Sequence, residues 1–391
     1  MKTHYDIIIA GFGAAGGQLL HQLIRHNVVP TLSVLVIDKV AKRNNDRTWC
    51  FWEQGEGLYD SLLTHSWRDM AFALEGSQTV KSSAGWRYKQ IEADRFYHHI
   101  RALADSSGTE FICAEIYSHH ETNETVEIKT SEGTLTASYY FSSIADFANL
   151  KKNYTGKWLH QHFVGWFVKT EKKVFDPQVA TLMDFDTTKR RTEFMYLLPD
   201  TENTALVENT LFSSEILTTE TYEASIRTYL EKLDCGSYHV ERKEQGIIPM
   251  TDYPFQRMNS RRVVMIGSAG GWTRASTGYT FRNSGILAER VAIYMKTGKM
   301  DVTKLLHQGR SRFYDRVMLD LLERRNDLGP KFLFQVYEKN PLDRVLKFLD
   351  GTTSFIEEIK IVLHSTPRME LLRSVARVTF KNEKRIHQEQ N

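Results

Sequence analysis

Glycines at two places in this 391-residue chain are spaced to bind phosphate. Gly11, Gly13 and Gly16 form GxGxxG directly after Tyr5 to Ala10 (YDIIIA), which reads as a buried parallel strand, and Gln18 to His26 continues as a helix. A tight turn feeding a helix N-terminus presents backbone N–H groups and the positive end of a dipole to an anion. A second strand, Ser33 to Ile37 (SVLVI), ends in Asp38, 22 residues past Gly16, where a carboxylate can accept from a ribose hydroxyl. NAD and FAD share this half of a site. The later turn, Gly267 to Ser284 (GSAGGWTRASTGYTFRNS), repeats the layout between the strand-like Arg262 to Ile266 and the apolar helical pattern Ile286 to Met295. A flavin dinucleotide is long, and its ribityl-pyrophosphate end needs a second helix N-terminus, so two such turns favour FAD. The alternative for the second turn is a plain strand-to-helix connection.

The expected dinucleotide contacts are therefore Gly11, Gly13, Ala14, Ala15 and Gly16 in the first turn, with Asp38 and Lys39 after the second strand. Arg47, Thr48 and Trp49 join them from the segment that follows, and Gly267, Gly270, Gly271, Thr277, Gly278 and Tyr279 from the second turn. One acid stands out for proton transfer. Phe194 to Pro199 (FMYLLP) and Ala205 to Thr210 (ALVENT) read as a hairpin, and alternation puts Leu206, Glu208 and Thr210 on one face, Val207 and Asn209 on the other. If the Leu206 face is the apolar one, burial raises the Glu208 carboxyl pKa and makes it a proton donor near neutrality. From spacing alone the simpler reading is an exposed edge-strand glutamate.

The elements that must position these residues follow from pattern. Arg47 to Glu53 (RTWCFWE) reads as a loop dense in aromatics that needs something to pack on, such as a flavin ring or an apolar substrate. Ile91 to Ala104 has helical spacing, and Glu110 to Tyr140 shows short alternating runs that read as a β-meander. His160 to Val168, Ala180 to Phe185, Glu193 to Leu198 and Ala205 to Thr210 continue as strands, with Leu211 to Leu233 partly helical. The expected architecture is α/β: an FAD/NAD(P)-binding Rossmann-like flavoprotein with an inserted mixed β-sheet substrate domain and a helical C-terminal tail. Residues 1–60, 88–150 and 246–304 are expected to form the FAD-binding part, 61–87 and 151–245 the substrate sheet, and 305–391 the tail.

Composition narrows the partners. A net charge of +3 from 51 basic and 48 acidic residues gives no case for nucleic acid. Three scattered cysteines, Cys50, Cys113 and Cys235, fit a reducing compartment and no disulfide framework. The first strand begins almost at once, which leaves no signal peptide, and no apolar run approaches the ~20 residues of a membrane helix, so a cytoplasmic location is expected. Peripheral membrane contact is a separate matter. The stretch from Leu305 to Asn391 carries 16 Lys/Arg against 12 Asp/Glu, laced with Phe313, Val317, Leu321, Phe332, Phe334 and Val336, which suits either a helical subdomain with its own core or a membrane surface. His160 and His162 share a strand face but lack a third ligand at sensible spacing, so no metal site is expected.

Several segments in order resemble lycopene cyclases of the flavoprotein type. Asp46 to Glu53 (DRTWCFWE) is similar to that family's HTWSF-type segment, and Gln161 to Gly165 (QHFVG), Met183 to Phe185 (MDF), FMYLLP and VENT look like further blocks. Gly246 to Met250 (GIIPM), the GSAGGWTRASTGYTF turn, Phe313 to Leu319 (FYDRVML) and Phe348 to Ser354 (FLDGTTS) extend the resemblance over nearly the whole chain. It implies a non-redox cyclisation: a terminal double bond of lycopene or a related carotenoid is protonated, the next internal double bond attacks the tertiary cation, and proton loss leaves a β-ionone ring. It also implies FAD in its reduced form, with NAD(P)H as a possible external reductant, and a carotenoid substrate drawn from a membrane surface. An alkene is a poor base, so the cation needs negative charge nearby in a dry site; one such charge ~4 Å away is worth about 4 kcal/mol at an effective dielectric of about 20.

Glu208 matches the first acid of the family's FLEET or VEDT-like motif, which makes it the expected general acid or anionic stabiliser. Asn209 stands where the family usually carries a second acid, which leaves open whether one carboxylate and the flavin suffice. Ser268 replaces the aspartate that many related flavoproteins carry after the strand. Trp49, Phe51, Trp272 and Tyr279 offer aromatic faces to a cation, or simply core packing. The competing activities are an FAD-dependent reductase or monooxygenase of an isoprenoid or aromatic substrate, and a non-enzymatic isoprenoid carrier.

Overall fold

A computed structural model describes residues 2–29, 31–298, 309–364 and 367–389. Parts of the expected tail, including residues 305–308 and 365–366, lie outside these ranges. Numbered along the chain, the first sheet contains β1 (His4–Ala10), β2 (Val34–Asp38), β8 (Glu110–Cys113), β9 (Ile116–Glu121), β10 (Val126–Thr130), β11 (Gly133–Ser142) and β17 (Val263–Met265). Its order is β8-β2-β1-β11-β10-β9, with β17 beside β11. Strands β8, β2, β1, β11 and β17 run parallel, and their unbroken runs such as DIIIA and VLVI have the composition of strands buried on both faces. Ile7, Ile9, Val34 and Val36 pack under α1 (Ala14–Arg25), α2 (Ala93–Ser107) and α5 (Phe281–Thr297), while Tyr5, Ile8, Leu35 and Ile37 pack on the other face with Val126, Ile128 and Leu135. The expected meander is thus only β9-β10-β11; β8 has left it to extend the parallel sheet beside β2.

The second sheet is built from β5 (Asp69–Leu74), β6 (Ser77–Lys81), β12 (Trp158–Thr170), β13 (Val179–Phe185), β14 (Glu193–Pro199), β15 (Thr204–Ser213) and β16 (Tyr238–Thr251), in the order β16-β12-β15-β14-β13-β5-β6. Alternation divides its two faces. Val164, Trp166, Val168, Val207 and Leu211 pack under α4 (Thr219–Lys232) with Tyr222, Ile226 and Leu230. On the other face Phe194, Leu198, Leu206 and Phe212 share a core with the C-terminal helices.

A third, three-stranded sheet corrects the sequence reading. Thr48–Gln54 is not a loop but β3, paired in antiparallel register with β7 (Trp86–Glu92), which in turn pairs with β4 (His65–Trp67). Its aromatic residues do find packing partners, and they are protein: Trp49 and Phe51 stack on Phe281 of α5 at centroid distances of 5.4 Å and 4.8 Å. A short α3 (Phe147–Lys152) leads into β12.

Helices α6 (Gly309–Arg324), α7 (Gly329–Lys339), α8 (Leu342–Leu349), α9 (Phe355–His364) and α10 (Arg368–Glu389) follow. Val317 and Leu321 of α6 are buried with Leu371 and Val378 of α10, and Phe334 and Val336 of α7 join the core under the second sheet. These tail residues therefore make protein core. The tail is also tied to the rest by polar bonds: Arg274 Nε donates to Asp315 (2.8 Å), while Trp52 Nε1 (2.8 Å) and Arg282 Nε (2.9 Å) both donate to Asp350.

Candidate active site

The first glycine turn joins β1 to α1. Gly11 has φ +94°, and a Cβ there would meet Ser143 Oγ at 2.0 Å; a Cβ at Gly16 would meet the Gly11 carbonyl oxygen at 2.0 Å. These two glycines let the chain pass close to itself. Gly13 differs: a Cβ there would meet nothing within 4 Å, and it caps α1 without any side-chain hydrogen bond. The uncapped helix start, Gly13, Ala14 and Ala15, lines a cavity of about 450 Å³. In the second turn Gly267 (φ +59°) comes so near the first that its Cβ would stand 2.9 Å from Ala15 Cβ. Gly278 (φ +73°) lies against the second sheet, where a Cβ would fall 1.9 Å from Gln161 Oε1.

The same cavity is lined by Arg47, Thr48, Trp49, Gly267, Thr277, Gly278, Tyr279 and Glu208, so one space brings the two turns to the proposed acid. Asp38 lines an adjoining cavity of about 490 Å³, with Lys42 on the wall of both. The Asp38 carboxylate accepts from the Phe12 N–H (2.7 Å) and the Val40 N–H (3.0 Å), so it also fastens the glycine turn. Other expected contacts sit elsewhere. Lys39 is exposed and lines neither cavity. Gly270 and Gly271 shape the turn: their Cβ atoms would meet the Met265 carbonyl oxygen at 2.1 Å and Phe255 at 2.8 Å. Of the four expected cation-facing aromatics, Phe51 and Trp272 belong to the first core, and Trp49 and Tyr279 reach the cavity.

Glu208 lies mid-strand on β15, 6% exposed. Leu206, Glu208, Thr210 and Phe212 all face the cavity, whereas Val207 packs under α4. The simple exposed-edge reading therefore fails because β15 is an interior strand, flanked by β12 and β14. Burial, and then the nearby Glu244 carboxylate, push the Glu208 pKa well above the carboxylate range; a hydrogen bond from Thr210 Oγ1 to Oε1 (2.6 Å) only partly opposes this. Asn209 points the other way, donating to Glu193 (3.2 Å) beneath α4, so an acid at that position would not reach the cavity. His162, also on the α4 face, bonds Tyr222 and Ser213.

Next to Glu208, Tyr196 sits opposite it on β14, and the Tyr196, Tyr88 and Tyr279 hydroxyls form a chain of 2.7 Å and 3.2 Å contacts. Burial raises all three phenols and the nearby Cys50 thiol, which keeps them neutral. Sequence reasoning did not single out Tyr88, Tyr196 or Glu244. The hairpin register opposite Glu208 could have revealed Tyr196; nothing local marks the other two.

A mostly parallel sheet with a glycine turn leading into each of two helices, opening on one cavity with an antiparallel-rich second sheet, defines an α/β flavoprotein of the FAD/NAD(P)-binding kind. The chain belongs to the lycopene cyclase family: the family model described as "Lycopene cyclase protein" matches residues 6–376. Lycopene beta-cyclase of Pantoea ananas is 23% identical over 388 residues, covering 94% of this chain and 96% of that protein. A solved geranylgeranyl bacteriochlorophyll reductase-like protein of Thermoplasma acidophilum superposes with a TM-score of 0.61 at 13% identity, over 96% of this chain and 99% of that one. The flavin-dependent brominase Bmp2 superposes with a TM-score of 0.61 at 15% identity, over 89% of this chain and 94% of that one. At these identities the superpositions speak to fold alone.

Proposed function

We propose that the chain catalyses the FAD-dependent, non-redox cyclisation of the ends of lycopene or a similar acyclic carotenoid to β-ionone rings. The observation that carries the reading is Glu208: a buried carboxyl, its pKa pushed up by burial and by Glu244, on the wall of the cavity that both glycine turns line. The residues present fit a flavin dinucleotide. Thr277 Oγ1 and Gln161 Oε1 are buried without hydrogen-bond partners, both residues line the cavity, and Gly13 leaves the start of α1 open to it. Gly13, Ala14 and Ala15 would hold the pyrophosphate, Asp38 a ribose, and Gly267, Thr277, Gly278 and Tyr279 the ring end. Bound in reduced form, with NAD(P)H as external reductant, FAD supplies negative charge beside the site.

The chain's own residues do the rest. Leu182, Met183, Leu206 and Phe212 exclude water, which strengthens every charge effect inside. Glu208 gives its proton to the terminal alkene carbon, and the neighbouring double bond closes a ring on the resulting tertiary cation. Phe194, Tyr196 and Phe212 offer π faces, ~0.5 to 2 kcal/mol each, to that cation. A ring proton returns to the Glu208 carboxylate, so mass and redox state are conserved.

Because carotenoids dissolve in bilayers, the reading includes a membrane surface. Phe355, Ile356, Ile359 and Leu363 on α9 are 40–66% exposed and fall on one side of the helix, with Lys360 beside them. No helix among the described residues is long and apolar enough to cross a membrane.

The test is anaerobic incubation of purified, FAD-loaded protein with lycopene in liposomes and a flavin reductant, reading product mass and absorption together. A mass-neutral, blue-shifted product is expected. Gain of two hydrogens or of oxygen would replace this reading with a reductase or monooxygenase.

A further inference from the structure

The central strand of the second sheet carries a glycine between two acids. β12 pairs with β15 on one side and β16 on the other, and Gly165 is in register with Glu208 in the first ladder and with Glu244 in the second. In-register residues on neighbouring strands point to the same face, and both glutamates line the cavity. Strands lie about 4.8 Å apart, so the two Cα atoms are about 10 Å apart with only a glycine between them. Gly165 has no side chain to screen one acid from the other, and a Cβ there would stand 2.9 Å from Leu206 Cδ1 and 3.3 Å from Glu208 Cβ.

The two acids have unequal company. Thr48 Oγ1 donates to Glu244 Oε2 (3.0 Å), and Arg47 and Arg242 lie on the Glu244 side, with Arg242 shared with Glu92 (3.0 Å). Among the described residues, Glu208 faces neutral groups besides Glu244: Thr210 on its own strand, Tyr196 on β14, Cys50 on β3 and Tyr279 from the second glycine turn. Burial raises both carboxyls, but Thr48 and the arginines draw Glu244 back. The first proton therefore leaves Glu244, and the second stays on Glu208.

We infer that Glu244 is a positioning residue of the reaction, the charged half of a carboxyl pair across Gly165 that keeps the proton on Glu208 until substrate takes it. This rests on the cyclisation reading above. It also gives the cavity a second acid, placed across two ladders of the sheet, where an acid at position 209 would point away beneath α4.

The test uses purified full-length protein and two readouts. Difference infrared spectroscopy follows the carbonyl stretch of protonated carboxyls through a pH titration, with the Glu208 band assigned by its loss in Glu208→Gln. In Glu244→Gln the like charge is gone, so Glu208 should ionise at lower pH, by about one unit or more. Because Glu208 works in its protonated form, the alkaline limb of the cyclisation rate should move to lower pH by the same amount, with KM little changed. Glu244→Asp, which keeps the charge, should keep both near wild type. Glu244→Met, charge-free and of similar volume, serves if the amide variant does not fold. An unmoved Glu208 band, with activity lowered evenly at every pH, would reduce Glu244 to a structural role and overturn the inference. A shifted band in a protein whose wild type forms no cyclic product would leave the pair standing and sink the cyclisation reading instead.

Discussion

Replacing Glu208 by Gln should make the protein more stable at neutral pH while removing its activity. The side chain is 6% exposed, and glutamine keeps its shape and a carbonyl oxygen for the Thr210 hydroxyl, so packing changes little. What changes is proton linkage. Burial and the Glu244 charge raise the Glu208 pKa in the folded protein above its unfolded value. At pH below the ordinary glutamate range both states hold the proton and the group contributes nothing. As pH rises, the unfolded chain releases the proton first, and the folded protein loses about 1.4 kcal/mol of stability per pH unit until Glu208 itself ionises. Glutamine has no such term. Urea unfolding of both proteins at a series of pH values should therefore show the stability difference growing in favour of Glu208→Gln, at about that slope, from about pH 5 upward. Cyclisation should fall by about 10² to 10⁴, the usual worth of a general acid. Parallel stability curves, with no growth in the difference, would mean that Glu208 ionises normally, and the proton-donor argument would go with them.

Gly278→Ala should lose flavin and about 1–2 kcal/mol of stability, because φ is +73° and the new Cβ would collide with Gln161 Oε1; flavin absorbance of the purified protein reads the first effect and urea unfolding the second. Lys157→Met should cost about 1–3 kcal/mol, since the Lys157 ammonium pairs at 2.9 Å with Asp320, a carboxylate 2% exposed that keeps Arg324 and Arg377 when the lysine is lost. Burial opposes ionisation of Asp320, yet Arg377 and Lys157 bring its pKa down to about 2. Its share of stability is therefore full above the ordinary aspartate range and fades as pH falls toward about 2; the acid limb of wild type should be steeper than that of Asp320→Asn. Ile356→Glu with Ile359→Glu should abolish flotation with anionic liposomes and leave the melting temperature unchanged; undiminished flotation would take the membrane surface away from α9.

Much of this site is local in the chain and could be read there. Gly11 to Gly16, Asp38 at the end of β2 and the alternation of Leu206, Glu208 and Thr210 each depend on neighbours within one turn or one strand. What escaped is long-range. Glu244 sits in ERKEQ, a run whose alternating exposure on β16 looks like any solvated edge strand; its importance appears only when β12 brings Gly165 opposite it. The same blindness hid β3, because TWCFWEQ needs β7, some forty residues later, to become a strand. Likewise the apolar residues of the tail looked alike in sequence, and only packing separates Val317 and Leu321, which are buried, from Ile356 and Leu363, which are not.

The bonds from Asp315 and Asp350 to Arg274, Trp52 and Arg282 also set an order of events during synthesis. The first glycine turn leaves the ribosome well before residues 315–350, yet the loop that faces it and the start of α5 are braced by side chains from α6 and the end of α8. On the proposed reading, a nascent chain holds half of the cofactor seat until Asp315 and Asp350 are made, so segments that fold early still wait for residues made later. Flavin uptake should therefore depend on these later residues: chains truncated before Asp350 should purify colourless, while the 391-residue chain takes up FAD.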